Sequence, residues 1–464
     1  MKTKFLTFLT LTTVLTSASA FSANQPVVVG YWSDWGIYWP ERPYAVSGSN
    51  NNGAVITNPD LDSQLAKLDI VNYAFLEVDT SDPIQDQSNY KITMNPNNGS
   101  LYFYDPWADL SSKDVEFCKQ HSAMCQNQDV SWNRGNFQAL LAQKNKYPNL
   151  KVAISVGGWD HDASFEGRNI NLKNPNNPNE TISVHIPGAF EKPEKLVESL
   201  KALVNEYHID GIDLDYEPQQ GFNATNSKQL VNLVNAIHEA LPNLIITLAV
   251  FANSGKVKAF DDGANHNWQA IAKNIKYLYV MGYDMHGSFD NPQITGLQSG
   301  LYFDQNEPTD PAFPHFNVDE AIKTYLAVGV PAEKIVMGIP SYARFVGGVP
   351  ATNNGLFQSF TTTPMGDLGA PGGMESYYAI AQQWLNSGGF SEYISTVNGQ
   401  ASGAWAYNPS TQTFGSYDNT VVIDSKVRYI KEKGLGGIMM WELRTDLPAN
   451  DEASLLKHMA KVKG

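Results

Sequence analysis

Eight short apolar runs punctuate the chain. They read VVVGYW (27–32), LDIVNYAF (68–75), LKVAISVGG (150–158), IDGIDLDYE (209–217), LIITLAV (244–250), IKYLYVMGYD (275–284), KIVMGIPSY (334–342) and LGGIMMWEL (435–443). Several are almost continuous in β-branched and aromatic residues, as parallel strands covered on both faces are. Between them lie stretches with helical periodicity, such as EKPEKLVESLKALVNEY (191–207) and SKQLVNLVNAIHEAL (227–241). Eight strands with intervening helices predict an α/β fold, the (β/α)8 TIM barrel. A doubly wound open sheet is the alternative, but no glycine-rich phosphate loop follows the first run.

Two spacings are too long for a plain strand–helix unit. Residues 77–149 hold a polar loop, both cysteines and a helical stretch near 134–146. Residues 345–418 are rich in Gly, Ser, Thr and aromatics. This second piece predicts a small inserted α+β subdomain between the seventh and eighth strands. The barrel would then be built from residues 21–344 and 419–464. No Pro/Thr linker or repeat array is visible, so no separate binding module is expected.

One strand departs from the apolar pattern. DGIDLDYE carries Asp210, Asp213, Asp215 and Glu217. Side chains alternate along a strand, so Asp213, Asp215 and Glu217 share one face and Ile212, Leu214 and Tyr216 the other. In a barrel the acidic face is the interior, and Glu217 falls at the C-terminal mouth, where barrel active sites sit. Acids on that face are about 6.5–7 Å apart along the backbone. Carboxylates that close in a dry interior do not all ionise, which keeps a proton available for general acid catalysis. A calcium loop started at Asp213 would need Gly at its sixth position and an acid at its twelfth; Pro218 and Ala224 stand there.

Composition narrows the partners. The chain has 464 residues, 42% hydrophobic and 17% charged, with a formal net charge of −15. Nucleic acid and anionic membrane surfaces are therefore poor partners. Aromatics reach 11%, including ten Trp, a surplus suited to stacking on sugar rings, although most would fill a core of this size. The N-terminus, MKTKFLTFLTLTTVLTSASA, has two lysines, a short apolar run and a small-residue end. It reads as a secretory signal peptide, residues 1–20, and an extracellular, secreted mature protein is expected. The only cysteines, Cys118 and Cys125, read in an exported protein as a local disulfide rather than two separate thiols. With only His121 between them they do not complete a zinc site. No metal or cofactor is expected.

Further motifs occur in order around DGIDLDYE: SVGGW (155–159), MGYD (281–284), GYW (30–32), PSYAR (340–344) and Trp441 near the end of the last run. Together they resemble the signature strands of the family 18 glycoside hydrolases, the chitinase family, over nearly all of residues 26–460. The segment after Arg344 is similar to the chitinase insertion domain of the deep-cleft subgroup. Tyr216 stands where many members have Trp, Pro218 follows the acid directly, and Ala343 replaces the commoner Gly.

The resemblance implies hydrolysis of β-1,4-linked N-acetylglucosamine with retention and no enzyme nucleophile, a known exception to the two-carboxylate scheme. Glu217 would be the general acid and base, Asp215 would orient the substrate's acetamido group, Asp213 would share a proton with Asp215, and Tyr283 would bond the acetamido carbonyl. Met281 and Asp284 would line the same subsite, Arg344 would contact sugar hydroxyls, and Trp441 would form the floor. Trp32, Trp35, Trp39 and Trp159 are candidates for outer subsites. Tyr31 and Ser155 would steady Asp213, Asp210 would support the strand, and Gly157 and Gly158 would allow close packing. The expected partner is chitin or its oligomers, with the enzyme a monomer. An endo-β-N-acetylglucosaminidase acting on N-glycans or peptidoglycan is one alternative. A chitin-binding lectin is another, although lectin relatives typically lack the acid that Glu217 supplies.

Overall fold

Each of the eight apolar runs forms a barrel strand: β1 (Val27–Ser33), β2 (Ile70–Val78), β3 (Lys151–Gly157), β4 (Gly211–Asp215), β5 (Ile245–Phe251), β6 (Tyr277–Met281), β7 (Ile335–Pro340) and β8 (Gly437–Trp441). The computed structural model describes residues 25–38, 46–47, 55–56, 59–86, 91–126, 133–159, 161–174, 177–261, 265–308, 316–369 and 372–464. Residues 1–20, read above as a signal peptide, and Trp39 lie outside these residues. All eight strands pair in parallel with their neighbours, and β1 pairs with both β8 and β2, so the sheet closes on itself. The chain is a (β/α)8 barrel.

Strand alternation divides the core in two. Val28, Trp32, Ile212, Leu214 and Tyr216 point outward into the layer beneath the helices. Val29, Tyr31, Ala153, Tyr279, Val336 and Met439 fill the barrel interior. Fully burying an aliphatic or Phe side chain contributes about 1.5–3 kcal/mol, so both layers are strong constraints on register. The helix Pro193–Tyr207 shows how the outer layer is covered. Pro at its first turn suits a position whose N–H has no helical partner, and Leu196, Leu200, Leu203 and Tyr207 form its buried stripe. The helix Ala224–Ala240 is opened by Asn223, whose side chain accepts from the Thr225 and Asn226 amides.

The long segment after β2 adds a short strand, Leu101–Phe103, antiparallel to the end of β2. The helices Pro106–Asp109, Val115–Gln120 and Asn136–Ala142 follow, and Cys118 and Cys125 are joined by a disulfide with Cα atoms 5.6 Å apart. The alternating stretch after β3 forms an antiparallel hairpin, Arg168–Asn174 with Asn177–Ile186, which pairs Ile170 with Val184 and Leu172 with Ile182. The apolar runs did not anticipate this third excursion.

Between β7 and β8 lies a five-stranded antiparallel sheet. Its order is Met374–Ser376, Tyr342–Val346, Thr413–Tyr417, Gln400–Asn408, Ser391–Val397. It starts at Tyr342, separated from β7 only by Ser341, so it begins earlier than the apolar-to-polar shift at 345 suggests. Fully buried Lys426, on the helix Thr420–Lys433, ties this sheet to the barrel. Its ammonium donates to Asp418 Oδ2 and to Ser299 Oγ, both at 2.6 Å. Ser299 Oγ in turn donates to the carbonyl of Gly282 at 2.5 Å.

Candidate active site

The acidic face of β4 points into the barrel. Asp213 is fully buried and accepts three hydroxyl hydrogen bonds: Tyr31 from β1 and Ser155 from β3 on Oδ2 (2.6 and 2.7 Å), and Thr247 from β5 on Oδ1 (2.7 Å). Burial pushes its pKa up, and the three donors pull against that rise. Asp215, one step toward the mouth and 6% exposed, has Oδ1 buried without a hydrogen-bond partner. Burial, and then the charges of Glu217 and Asp213, push its pKa well above the carboxylate range. Glu217 lies just beyond the strand and is half-buried. The strand thus runs from a dry, saturated carboxylate to a half-buried acid just past its end.

The backbone beside Asp215 explains SVGG. Gly157 and Gly158 have φ of +102° and +105°, and the Gly158 amide donates to the Asp215 carbonyl at 2.9 Å. A Cβ on Gly157 would lie 2.4 Å from that carbonyl oxygen. Only glycine combines this conformation with so close an approach. Trp159, which follows, is 60% exposed. Its loop is anchored to buried Glu77 through His161 Nδ1 and Ser164 Oγ, each at 2.6 Å.

Trp441 closes β8 and is half-buried within an aromatic group. Its ring centroid lies 5.2 Å from Tyr31, 5.6 Å from Phe75 in a stacked arrangement, and 6.1 Å from Trp35. On the opposite wall, half-buried Tyr283 meets Tyr342 edge-on at 6.3 Å. Burial, then the nearby Tyr342, Asp215 and Glu217, push its hydroxyl pKa well up, so it stays a donor. Half-buried Met281 ends β6 beside it. Asp284, with φ +56°, accepts from Tyr342 OH and from Arg344 Nε and NH2, all at 2.7 Å. Arg344, expected to face sugar hydroxyls, thus spends two of its N–H groups on a bidentate pair with Asp284.

Two expected residues sit elsewhere. Trp32 is a correction. It is 4% exposed and packed in the outer core, because it alternates with inward-facing Tyr31. Asp210 stands at the far, N-terminal end of β4, where it accepts from the Val152 amide at 2.9 Å and pairs with Lys144 at 2.6 Å and Lys151 at 3.3 Å. It belongs to the barrel floor, remote from the carboxylate row.

Three residues at the site were not singled out from sequence. Thr247 is the only polar residue in LIITLAV, and that interruption was the available signal. Phe75 stacks beneath Trp441, and nothing in NYAF marks it. Lys256 places its ammonium 3.6 Å from the Phe251 ring centroid. Burial lowers its pKa, and the charge of Glu217 works in the other direction.

The closed parallel barrel carries a graded row of carboxylates on β4 and the aromatic group around Trp441 at the C-terminal ends of its strands, where sites of such barrels sit. The model of the glycosyl hydrolases family 18 matches residues 27–446, and the chain belongs to that family. Chitinase A1 of Niallia circulans is 28% identical over 463 residues, covering 93% of this chain and 58% of the relative. The chain therefore spans little more than half of that protein's length. Chitinase ChiA74 from Bacillus thuringiensis superposes with a TM-score of 0.70 at 26% identity, over 94% of this chain and 69% of that one. A group IV chitinase of Ostrinia furnacalis, solved in complex with allosamidin, shares the fold with a TM-score of 0.66 at 24% identity, over 94% of this chain and 98% of that one.

Proposed function

We propose that the protein is an exported chitinase that cleaves β-1,4 linkages between N-acetylglucosamine units with retention of configuration. The observation that carries this reading is the row on β4: Asp213 saturated by hydroxyls, Asp215 buried beside two other acids, and Glu217 half-buried just beyond the strand. Family membership and the chitinase relatives support it.

Glu217 gives its proton to the glycosidic oxygen as the bond to the anomeric carbon breaks. No carboxylate of the row is needed as nucleophile. The acetamido oxygen of the same sugar closes on the anomeric carbon, forming a cyclic oxazolinium ion and gaining the proximity of an intramolecular step. Asp215 accepts from the acetamido N–H, and the single negative charge of the Asp213–Asp215 pair offsets the positive charge. Tyr283 donates to the acetamido carbonyl oxygen. Glu217, now a carboxylate, takes a proton from water as it opens the ring, which restores the acid.

Export rests on the N-terminal signal pattern; among the described residues no helix is long and apolar enough to cross a membrane. The insert, residues 345–418, forms one wall of the cleft in this reading and favours a linear polymer over a branched glycan.

Soluble N-acetylglucosamine oligomers, cello-oligomers and an N-glycopeptide test the proposal side by side. Cleavage of the first alone is expected. Efficient cleavage of cello-oligomers would point to an enzyme nucleophile, and release of the glycan from the glycopeptide would favour the endo-β-N-acetylglucosaminidase reading.

A further inference from the structure

Asp213 is held by three hydroxyl donors, each from a different strand. Its carboxyl lies in the dry barrel interior, 0% exposed. Tyr31 and Ser155 both donate to Oδ2, and Thr247 donates to Oδ1. The distances, 2.6 to 2.7 Å, are those of hydroxyls on an ionised carboxylate. Protonation of Asp213 would remove the charge that strengthens all three hydrogen bonds. Asp215 has the opposite environment, with Oδ1 buried and unpartnered.

We propose that Thr247, on β5, is a positioning residue for the reaction. Its hydroxyl completes the shell that keeps Asp213 ionised, so the proton shared by the pair rests on Asp215. The inference depends on the functional reading above. Asp215 is then a neutral acid whose carbonyl oxygen accepts from the substrate's acetamido N–H, and Asp213 is the fixed negative charge behind the developing cation. The directions of the two acids agree: burial raises both, but only Asp213 has hydroxyl donors opposing the rise, while Asp215 is raised further by Glu217 and Asp213.

The groups facing Asp213 leave this assignment intact. Tyr31 from β1 and Tyr279 from β6 are the other titratable residues packed on it, and burial followed by the Asp213 charge pushes both well above the tyrosine range. Ser155 from β3 and Asn72 from β2 do not titrate. On its own strand the neighbours are Asp215 and Glu217.

The test is the pH dependence of turnover on a soluble N-acetylglucosamine oligomer, for the wild type, Thr247→Val and Thr247→Ser. Activity falls at low pH when the pair takes up its second proton, on Asp213. Valine keeps the shape and removes the donor, so Asp213 binds that proton more readily and the acid limb moves upward. A hydrogen bond to a charged group corresponds to a shift of about one to two pH units. The alkaline limb and KM stay near wild type, and Thr247→Ser, which keeps the hydroxyl, restores the acid limb. Thr247→Ala, with no steric demand, carries the same expectation if the valine variant is poorly folded. An active wild type whose acid limb is unmoved in a folded Val or Ala variant overturns this inference alone, as does a serine variant that behaves like valine. A wild type inert on the oligomer at every pH overturns the functional reading, and this inference with it.

Discussion

Replacing Trp441 by Ala separates a cleft floor from a core residue. The ring contacts Tyr31, Phe75 and Trp35 with centroids at 5.2, 5.6 and 6.1 Å. Aromatic pairs contribute about 0.5–1.5 kcal/mol each beyond area burial, and truncating a core Trp costs about 3–5 kcal/mol. Trp441 is only half-buried, so a loss of about 2–3 kcal/mol is expected, below the core range. Unfolding entropy of about 2.1 cal/mol/K per residue makes each kcal/mol worth about 1 °C in a chain of 464 residues. The variant should melt about 2–3 °C early. Its catalytic efficiency on N-acetylglucosamine oligomers should fall more than about tenfold, equivalent to about 1.4 kcal/mol of transition-state binding, because the floor orients the reacting ring. Calorimetry and initial rates on one preparation decide the matter. A variant that melts far earlier yet keeps full efficiency at low temperature would refute the reasoning and return Trp441 to the core.

Glu217→Gln should lower turnover by about 10²–10⁴ with oligomer binding retained, since the amide keeps the shape and cannot give a proton; titration calorimetry alongside the rates checks both halves. His286 donates from Nδ1 to Asp290 and from Nε2 to Glu307, each at 2.9 Å. Burial opposes its charge, but the two carboxylates outweigh that and raise its pKa from 6.5 to about 9. The raised value means the stabilisation is complete below pH 6.5 and is lost as pH rises through about 9. His286→Gln should therefore melt below wild type at pH 6, with the gap closing above pH 9, and an equal gap at both ends would exclude the charge as its source. Replacing both Cys118 and Cys125 by Ser opens a short loop, for which chain entropy gives about 2.5 kcal/mol, and turnover on soluble oligomers should be unchanged; lost turnover in a folded variant would tie that segment to the cleft.

The barrel and its carboxylate row were legible for a physical reason. Strands buried on both faces leave near-continuous apolar runs, and three acids at a spacing of two can only be costly or functional in such a run. Thr247 was less visible, since a lone hydroxyl in an apolar strand says nothing of the residue it meets on another strand. Trp32 and Tyr31 illustrate the opposite limit: adjacent aromatics in GYW are separated by a face of the sheet, and composition alone does not say which one turns outward. The hairpin after β3 carries its own alternation, Ile170 and Leu172 opposite Val184 and Ile182, but short polar-rich runs compete poorly with eight strong strands. The partnership of Arg344 with Asp284 depends on two segments sixty residues apart in sequence, which no local pattern encodes.

The insert's first strand supplies both Tyr342 and Arg344, the two side chains that hold Asp284, and Gln298 Nε2 donates to the Tyr342 carbonyl at 2.7 Å. The buried Lys426 then links Asp418, just after the strand Thr413–Tyr417, to Gly282 through Ser299. An exchange of this lobe between homologous proteins that cut at the apparent boundary, residue 345, would split that lattice. A chimera has to carry residues 282–301 and 341–426 together, as one cassette, if the graft is to arrive with these contacts intact.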